Sequence, residues 1–346
     1  MTRTDRPSSS PPPTLGHPKE VPMAFTGLMP NAQFLIPICG TVVTVVLVIL
    51  YALRLRREEK VRVGQVSQLL IYPLKSARSV SVKLAECHKM GLRNGALRDR
   101  HWMVVTEEGR MVIGTHEPRL VLVSLSCDGD QEVRLTAPDM DELRVPLRQP
   151  RNLVLNCRLF GDDIQGRDCG AEAAHWLTTF LGGRKTYRLV HFEPHMKTRK
   201  SWVQEKLFPR REEVAYAYAG PLLLLSQASV EDLSKRTEKD LTAQRFRPNI
   251  VIEGCSAFDE DSWDELQVGE VRLQRVMSCP RCMSTTIDPD TGVINRKEPL
   301  ETLKGYRQCK PSERSIYKAA PLFGQLFLVK KTGKLQVGDV VYKISH

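Results

Sequence analysis

The sequence predicts an α+β protein that is mostly β, a single apolar N-terminal helix followed by barrel-like sheets in two lobes with a few helices. Three observations predict it. From Val61 onward short strand-like runs alternate with turn residues, helical periodicity is confined to a few stretches, and an uninterrupted apolar block precedes them all. The chain has 346 residues, 41% hydrophobic and 26% charged, enough for two modest cores or one large one.

Residues 7–13, Pro-Ser-Ser-Ser-Pro-Pro-Pro, have nothing to bury, so residues 1–33 are expected to be disordered. No charged residue stands between Glu20 and Arg54, and Phe34–Leu53 is a run of 20 residues rich in Val, Ile and Leu. At about 1.5 Å per residue a helix of that length covers roughly 30 Å, the hydrocarbon thickness of a bilayer. The block is too far from Met1 for a secretory signal and lacks the polar face of a core helix. Arg54-Leu-Arg-Arg57, Lys60 and Arg62 follow it, a basic flank that keeps residues 58–346 in the cytosol.

Gln65–Ile71 reads as the first strand, ending at Tyr72-Pro73. His101–Val105 and Arg110–Ile113 flank Glu107-Glu-Gly109, a hairpin signal; Leu120–Ser126 and Glu132–Thr136 flank a second. Asn152–Leu159 precedes a turn at Gly161-Asp-Asp163. Ala171–Leu181 places Ala173, Trp176, Leu177 and Phe180 at helical spacing and stops at Gly182-Gly183. Tyr187–Phe192 is a strand, and the charged, aperiodic residues 194–213 form a linker or loop. This divides the soluble part into lobes at 61–193 and 194–346. In the second lobe Leu222–Leu225 is a strand and a capped helix starts near Ser229, with Asp232 at its third position. Ile250–Ile252, Val271–Val276, Leu326–Lys330 and Val340–Ile344 are strands.

The net charge of +11 is compatible with acidic partners such as nucleic acid, anionic lipid, phosphorylated ligands or an acidic protein, although on charge alone a solvated basic surface is the preferred reading. Nine cysteines in no framework spacing suggest free thiols in a reducing compartment. The chemical signal is Met277-Ser-Cys-Pro-Arg-Cys282, delivered by a strand and followed by the turn Asp288-Pro-Asp-Thr-Gly292. Four chemistries are open to the Cys279/Cys282 pair. A structural zinc needs two more close ligands; a redox dithiol needs a helix after the motif; buried inert thiols need nothing; a single thiolate to a soft metal is favoured by a cation such as Arg281. Asp288 and Asp290 read as turn formers.

The stretch from Cys282 through Gly292 and Arg296-Lys-Glu-Pro-Leu-Glu-Thr-Leu-Lys304 resembles the MOSC domain of the mitochondrial amidoxime-reducing components. The resemblance extends over residues 61–346 through Tyr72-Pro-Leu-Lys-Ser76, Gly91-Leu-Arg-Asn-Gly-Ala-Leu-Arg-Asp-Arg-His-Trp102, Arg188-Leu-Val-His-Phe-Glu-Pro-His195 and Phe246-Arg-Pro-Asn-Ile250. It implies a molybdenum–molybdopterin cofactor with Cys282 as metal ligand and catalytic residue. It also implies Lys75, Ser76, Arg100, Arg247, Asn249 and Arg281 as cofactor-binding residues. Lys and Arg suit the pterin's phosphate and Asn its amide-rich edge.

The implied activity is reduction of amidoximes, N-hydroxyguanidines, hydroxylamines and nitrite, with electrons from NADH through cytochrome b5 reductase and cytochrome b5. The implied location is the mitochondrial outer membrane, with the peroxisome as a second site, and nucleic acid is not among the partners. The absence of a GxGxxG after a strand agrees with borrowed electrons. The chain departs from the family at Ala219-Gly220, where small polar residues usually precede Pro221. A cofactor carrier or sulfur-transfer module, or a non-catalytic anchor, are the alternatives.

Overall fold

The computed structural model describes residues 58–127, 129–200 and 213–345, and residues 58–346 form one compact unit. The expected N-terminal disorder and the apolar helix at 34–53 lie outside the described residues. Among the described residues no helix is long and apolar enough to cross a membrane.

Seven strands close a barrel: β1 (Glu59–Ile71), β2 (Leu222–Ser226), β3 (Ile250–Glu253), β4 (Glu265–Val268), β5 (Val271–Pro280), β6 (Leu322–Lys331) and β7 (Val340–Ser345). Their order is β3-β2-β6-β5-β4-β7-β1, and β1 returns to pair with β3. All pairs are antiparallel except β2 with β3. That parallel pair is joined by helix α2 (Gln227–Thr237), as a parallel connection requires. β2 is buried on both faces, which is why Leu-Leu-Leu-Leu shows no alternation. Leu222 and Leu224 face a core with Val66, Ile250, Ile252, Leu266, Leu273 and Phe327. Leu225 faces an outer core with Val230, Leu233, Phe246 and Phe323. Full burial of each such side chain contributes about 1.5–3 kcal/mol.

β1 begins six residues earlier than the sequence suggests and carries a bulge where Gly64 crosses β3. A Cβ there would lie 2.4 Å from the Glu253 carbonyl oxygen, so the close approach of two backbones requires glycine. β5 and β6 likewise run beyond their apolar runs, because long antiparallel pairing continues after the hydrophobic pattern stops.

A second sheet has the order Val154–Leu159, Asp162–Asp168, Tyr187–His191, Trp102–Thr106. Helix α1 (Ala171–Phe180) presses Ala173, Trp176, Leu177 and Phe180 into a core with Trp102, Val104, Tyr187 and Leu189. The 107–109 hairpin forms, but its return arm is reduced to isolated bridges, Val105 with Met111 and Arg110 with Arg158. In the next hairpin Leu120 and Leu122 belong to a 3-10 turn, so only Ser124–Ser126 pairs with Glu132–Thr136.

Two expectations are corrected. Helix α2 is capped by Ser226, whose hydroxyl accepts from the Ser229 N–H at 3.0 Å; Asp232 instead pairs with Arg236 at 2.7 Å one turn on. Of the 194–213 stretch, read as a linker or loop, residues 201–212 lie outside the described residues, and the residues flanking them on either side are paired strand rather than loop. Arg199–Lys200 pairs with Glu213–Val214, and Arg199 is 3% exposed. Its guanidinium donates to the Tyr218 carbonyl at 2.8 Å and also to that of Ala217.

Candidate functional site

β5 delivers Cys282 just past its end, at the N-cap of a 3-10 turn Met283–Thr286. The Cys282 carbonyl accepts from the Thr285 N–H at 3.1 Å and hydroxyl at 2.9 Å, which holds the thiol outward. Cys282 is exposed and its Sγ lies 3.4 Å from the Ser284 hydroxyl. Cys279 is partly buried among Met277, Tyr317 and Leu326, and burial pushes its thiol up. The eight described cysteines are all free, and among the described residues no three His, Cys, Asp or Glu side chains group as metal ligands.

Arg281 turns away from solvent. Its Nε donates to the Phe323 carbonyl and its Nη1 to the Phe246 carbonyl, both at 2.8 Å, while Nη2 is buried without a partner among the described residues. Arg245 returns the clasp, donating to the Ile287 carbonyl at 3.0 Å and pairing with Asp288 at 2.7 Å. These two arginines tie the Cys282 loop to the 3-10 turn Ala243–Phe246 and so to Arg247. The other carboxylate oxygen of Asp288 closes its own turn, accepting from the Asp290 and Thr291 N–H groups at 3.0 and 2.9 Å, which supports the turn-former reading.

Arg247 and Arg100 meet at Tyr72, with their guanidinium carbons 4.3 and 4.8 Å from its ring centroid. Arg100 donates to the Asn249 side-chain oxygen at 3.2 Å and to the Arg247 carbonyl at 3.1 Å. Asp99, 2% exposed, organises the group. It pairs with Arg100 and accepts from the Tyr72 N–H at 2.8 Å and the Asn249 amide at 2.9 Å. Asn249 is fully engaged by protein, accepting also from Leu223 N–H and donating to the Leu70 carbonyl. It therefore holds the barrel to the site.

Lys75 is 8% exposed, donates to the Tyr216 carbonyl at 2.9 Å and stands 4.4 Å from the Phe160 ring centroid. Burial, then Arg100, Arg199 and Arg247, drives it well below the usual lysine range. Burial and the Arg100 charge push Arg247 down to about 10. Ser76, Arg100 and Arg247 all have positive φ (66°, 51° and 60°), a conformation uncommon in non-glycine residues and often kept at functional sites.

Two guanidinium groups and Lys75 thus gather around one buried carboxylate that pairs directly with Arg100, with Arg247 Nη2 and Arg281 Nη2 lacking acceptors among the described residues. A cleft of about 320 Å³ runs from Tyr72, Ala77 and Arg247 past Arg245 to Ser284, whose hydroxyl touches the Cys282 sulfur. Surplus buried donors beside an exposed thiol fit an anionic, polar cofactor carrying a soft metal.

The family resemblance carried by the motifs around Tyr72, Arg100, Phe246 and Cys282 pointed to these residues in sequence. Tyr72, Asp99, Arg245 and Ser284 were not singled out. Tyr72 and Asp99 sit inside motifs already noted, and Arg245 adjoins one, but their roles need partners that lie far along the chain. At the departure from the family, Ala219 packs in the apolar cluster with Leu223, Met277 and Leu326. Tyr218 beside it is 39% exposed, and burial, then the neighbouring Cys279 and Cys282, raises its phenol.

Family models place the chain in a class first: residues 63–184 match the MOSC N-terminal beta barrel domain and residues 211–342 the MOSC domain. Curated relatives narrow it. The chain is 54% identical to mitochondrial amidoxime-reducing component 1 of Homo sapiens, covering 84% of this chain and 86% of that one. It is 51% identical to component 1 of Danio rerio, covering 91% and 96%, and 53% identical to component 2 of Bos taurus, covering 84% and 86%. The chain belongs to the family of mitochondrial amidoxime-reducing components.

Proposed function

We propose that this chain is a molybdenum-cofactor reductase of N-oxygenated compounds: amidoximes, N-hydroxyguanidines, hydroxylamines and nitrite. The observation that carries the reading is the buried basic group at Tyr72 clasped to the loop that exposes Cys282. Cys282 would ligate molybdenum. Lys75, Arg100 and Arg247 would hold the pterin phosphate, with Ser76 adding a hydroxyl donor. Arg281 Nη2, without a hydrogen-bond partner among the described residues, is left to offer the cofactor; the bonds of its Nε and Nη1 and those of Asn249 set the positions of the neighbours. When bound, the cofactor supplies two-electron oxygen-atom chemistry.

The chain's own residues fix that centre at a strand end. They compensate the anionic cofactor with charge that Asp99 alone leaves in excess, and they keep the sulfur at the surface where a substrate reaches it. Electrons would come from NADH through cytochrome b5 reductase and cytochrome b5. Residues 34–53 would anchor the protein in the mitochondrial outer membrane, or in the peroxisome, with the lobes at 61–193 and 194–346 on the cytosolic side.

Elemental analysis of the purified full chain in detergent tests the reading, with about one molybdenum per chain expected for a one-thiolate site. Cys282→Ser should abolish benzamidoxime reduction, and Cys279→Ser should keep most of it. Equal loss from both would favour a dithiol. Metal content without benzamidoxime turnover would favour a carrier.

A further inference from the structure

We infer that the surface bordering the Cys282 loop is the docking face for an acidic electron-transfer protein, an inference that rests on the reductase reading. Two segments frame Cys282. On one side the Asn295 N–H donates to the Thr286 carbonyl at 2.8 Å, which brings Arg296 and Lys297 beside the 3-10 turn that Cys282 caps. On the other, the Ser278 N–H donates to the Tyr317 hydroxyl at 3.1 Å and the Arg281 N–H to the Pro321 carbonyl at 2.8 Å. Those bonds seat residues 309–321 along the end of β5.

Residues 296–318 carry seven Lys or Arg against three Glu. Their charges divide into two kinds. Lys304 and Arg307 are neutralised by Glu301 and Asp261, at 2.7 and 2.6 Å. Arg296, Lys297, Lys310, Arg314 and Lys318 are all exposed and make no ion pair among the described residues. Apolar side chains are exposed at the Cys282 loop. Met283 is 40% exposed, Val293 64% and Tyr218 39%, so three of the eight large hydrophobic residues exposed among the described residues stand on or beside the Cys282 loop.

Exposed apolar side chains beside these five cations, against only Glu298 and Glu313 of opposite sign, have the composition of a transient protein interface, and the net positive charge selects an acidic partner. Reduction of an amidoxime to an amidine consumes two electrons and two protons and releases water, and a one-electron carrier must visit twice per turnover. Electron transfer weakens steeply with distance, so the carrier must seat where the metal-bearing sulfur is exposed. A lipid surface would meet the charge but deliver no electron.

The test compares the full chain with a Lys297→Glu/Lys310→Glu/Arg314→Glu variant. The control is Lys83→Glu/Lys334→Glu, an exposed pair of which Lys334 lies beyond the far end of β6. Stopped-flow oxidation of reduced cytochrome b5 is followed at low and high salt, alongside benzamidoxime turnover driven by reduced methyl viologen. The face variant should slow cytochrome b5 oxidation by about 10-fold at low salt, with the gap closing as salt rises. Its viologen-driven turnover should stay within about two-fold of wild type, a margin small beside that steering effect.

Unchanged cytochrome kinetics, equal slowing in the control, or lost binding to anionic vesicles with cytochrome kinetics intact would overturn the docking face alone. A wild type unable to pass viologen electrons to benzamidoxime would overturn the reductase reading and the face with it.

Discussion

Replacing Asp99 by Asn keeps the side chain's shape and removes the negative charge that balances Arg100 and Arg247. The carboxylate is 2% exposed and meets three donors, the Tyr72 N–H, the Asn249 amide and the Arg100 guanidinium. An asparagine oxygen can still accept from the first two. Its NH2 must then face the Arg100 guanidinium, donor against donor, and an ion pair is lost in the interior. Breaking a buried pair from one side costs about 3–5 kcal/mol, and the Arg100 side chain is 14% exposed, which places the loss near the lower end.

At roughly 2–4 °C per kcal/mol, a loss of about 3 kcal/mol lowers the thermal midpoint by roughly 6–12 °C. Differential scanning calorimetry on the full chain in detergent measures it, and pterin fluorescence after release reports cofactor content, which should fall in parallel. A change below about 1 kcal/mol, the value of an ordinary hydrogen bond, would refute the claim that Asp99 holds this basic group together. Full stability loss with full pterin retention would confine Asp99 to folding.

Two further outcomes are expected. Burial holds His101 and His191 down to about 4, opposed in His101 by its bond to the Asp99 carbonyl and assisted in His191 by His101. The unfolded chain protonates both near 6.5, so between pH 6.5 and 4 it binds more protons than the folded protein. Stability should then fall with acidification by about 1.4 kcal/mol per pH unit for each histidine. Urea midpoints from pH 7 to 4.5 read this slope, and His191→Gln should make it shallower; an unchanged slope would contradict the assignment. Gly64→Ala should destabilise by more than about 2 kcal/mol because two strand backbones must part, and a midpoint within experimental error of wild type would show that β1 shifts freely there.

Strand positions were legible because alternation and turn chemistry are local properties. Tyr187–His191 and α1 fall within a residue of expectation for that reason. Ends were less legible. β1 extends back to Glu59 because β7, some 280 residues later in the chain, supplies hydrogen-bond partners for polar residues with no strand pattern. The cap of α2 was placed at Ser229 because Ser226 and Ser229 are both good capping residues, and only the backbone decides which one turns the chain.

The same division holds at Cys282. A reactive residue type after a strand, before a strong turn and among distant basic motifs, is written in the order of the residues, and so is membership of the family. Which side chains face the cofactor and which face the protein is not. Arg281 looked like a neighbour of the thiol and directs two of its nitrogens to carbonyls of Phe246 and Phe323, whereas Asp99, unmarked in sequence, balances the basic group. Both outcomes depend on contacts between residues dozens to well over a hundred positions apart. Local patterning carries no information about those: barrel closure brings Leu70, Leu223 and Asn249 to one point, and Asp99 reaches it from outside the barrel.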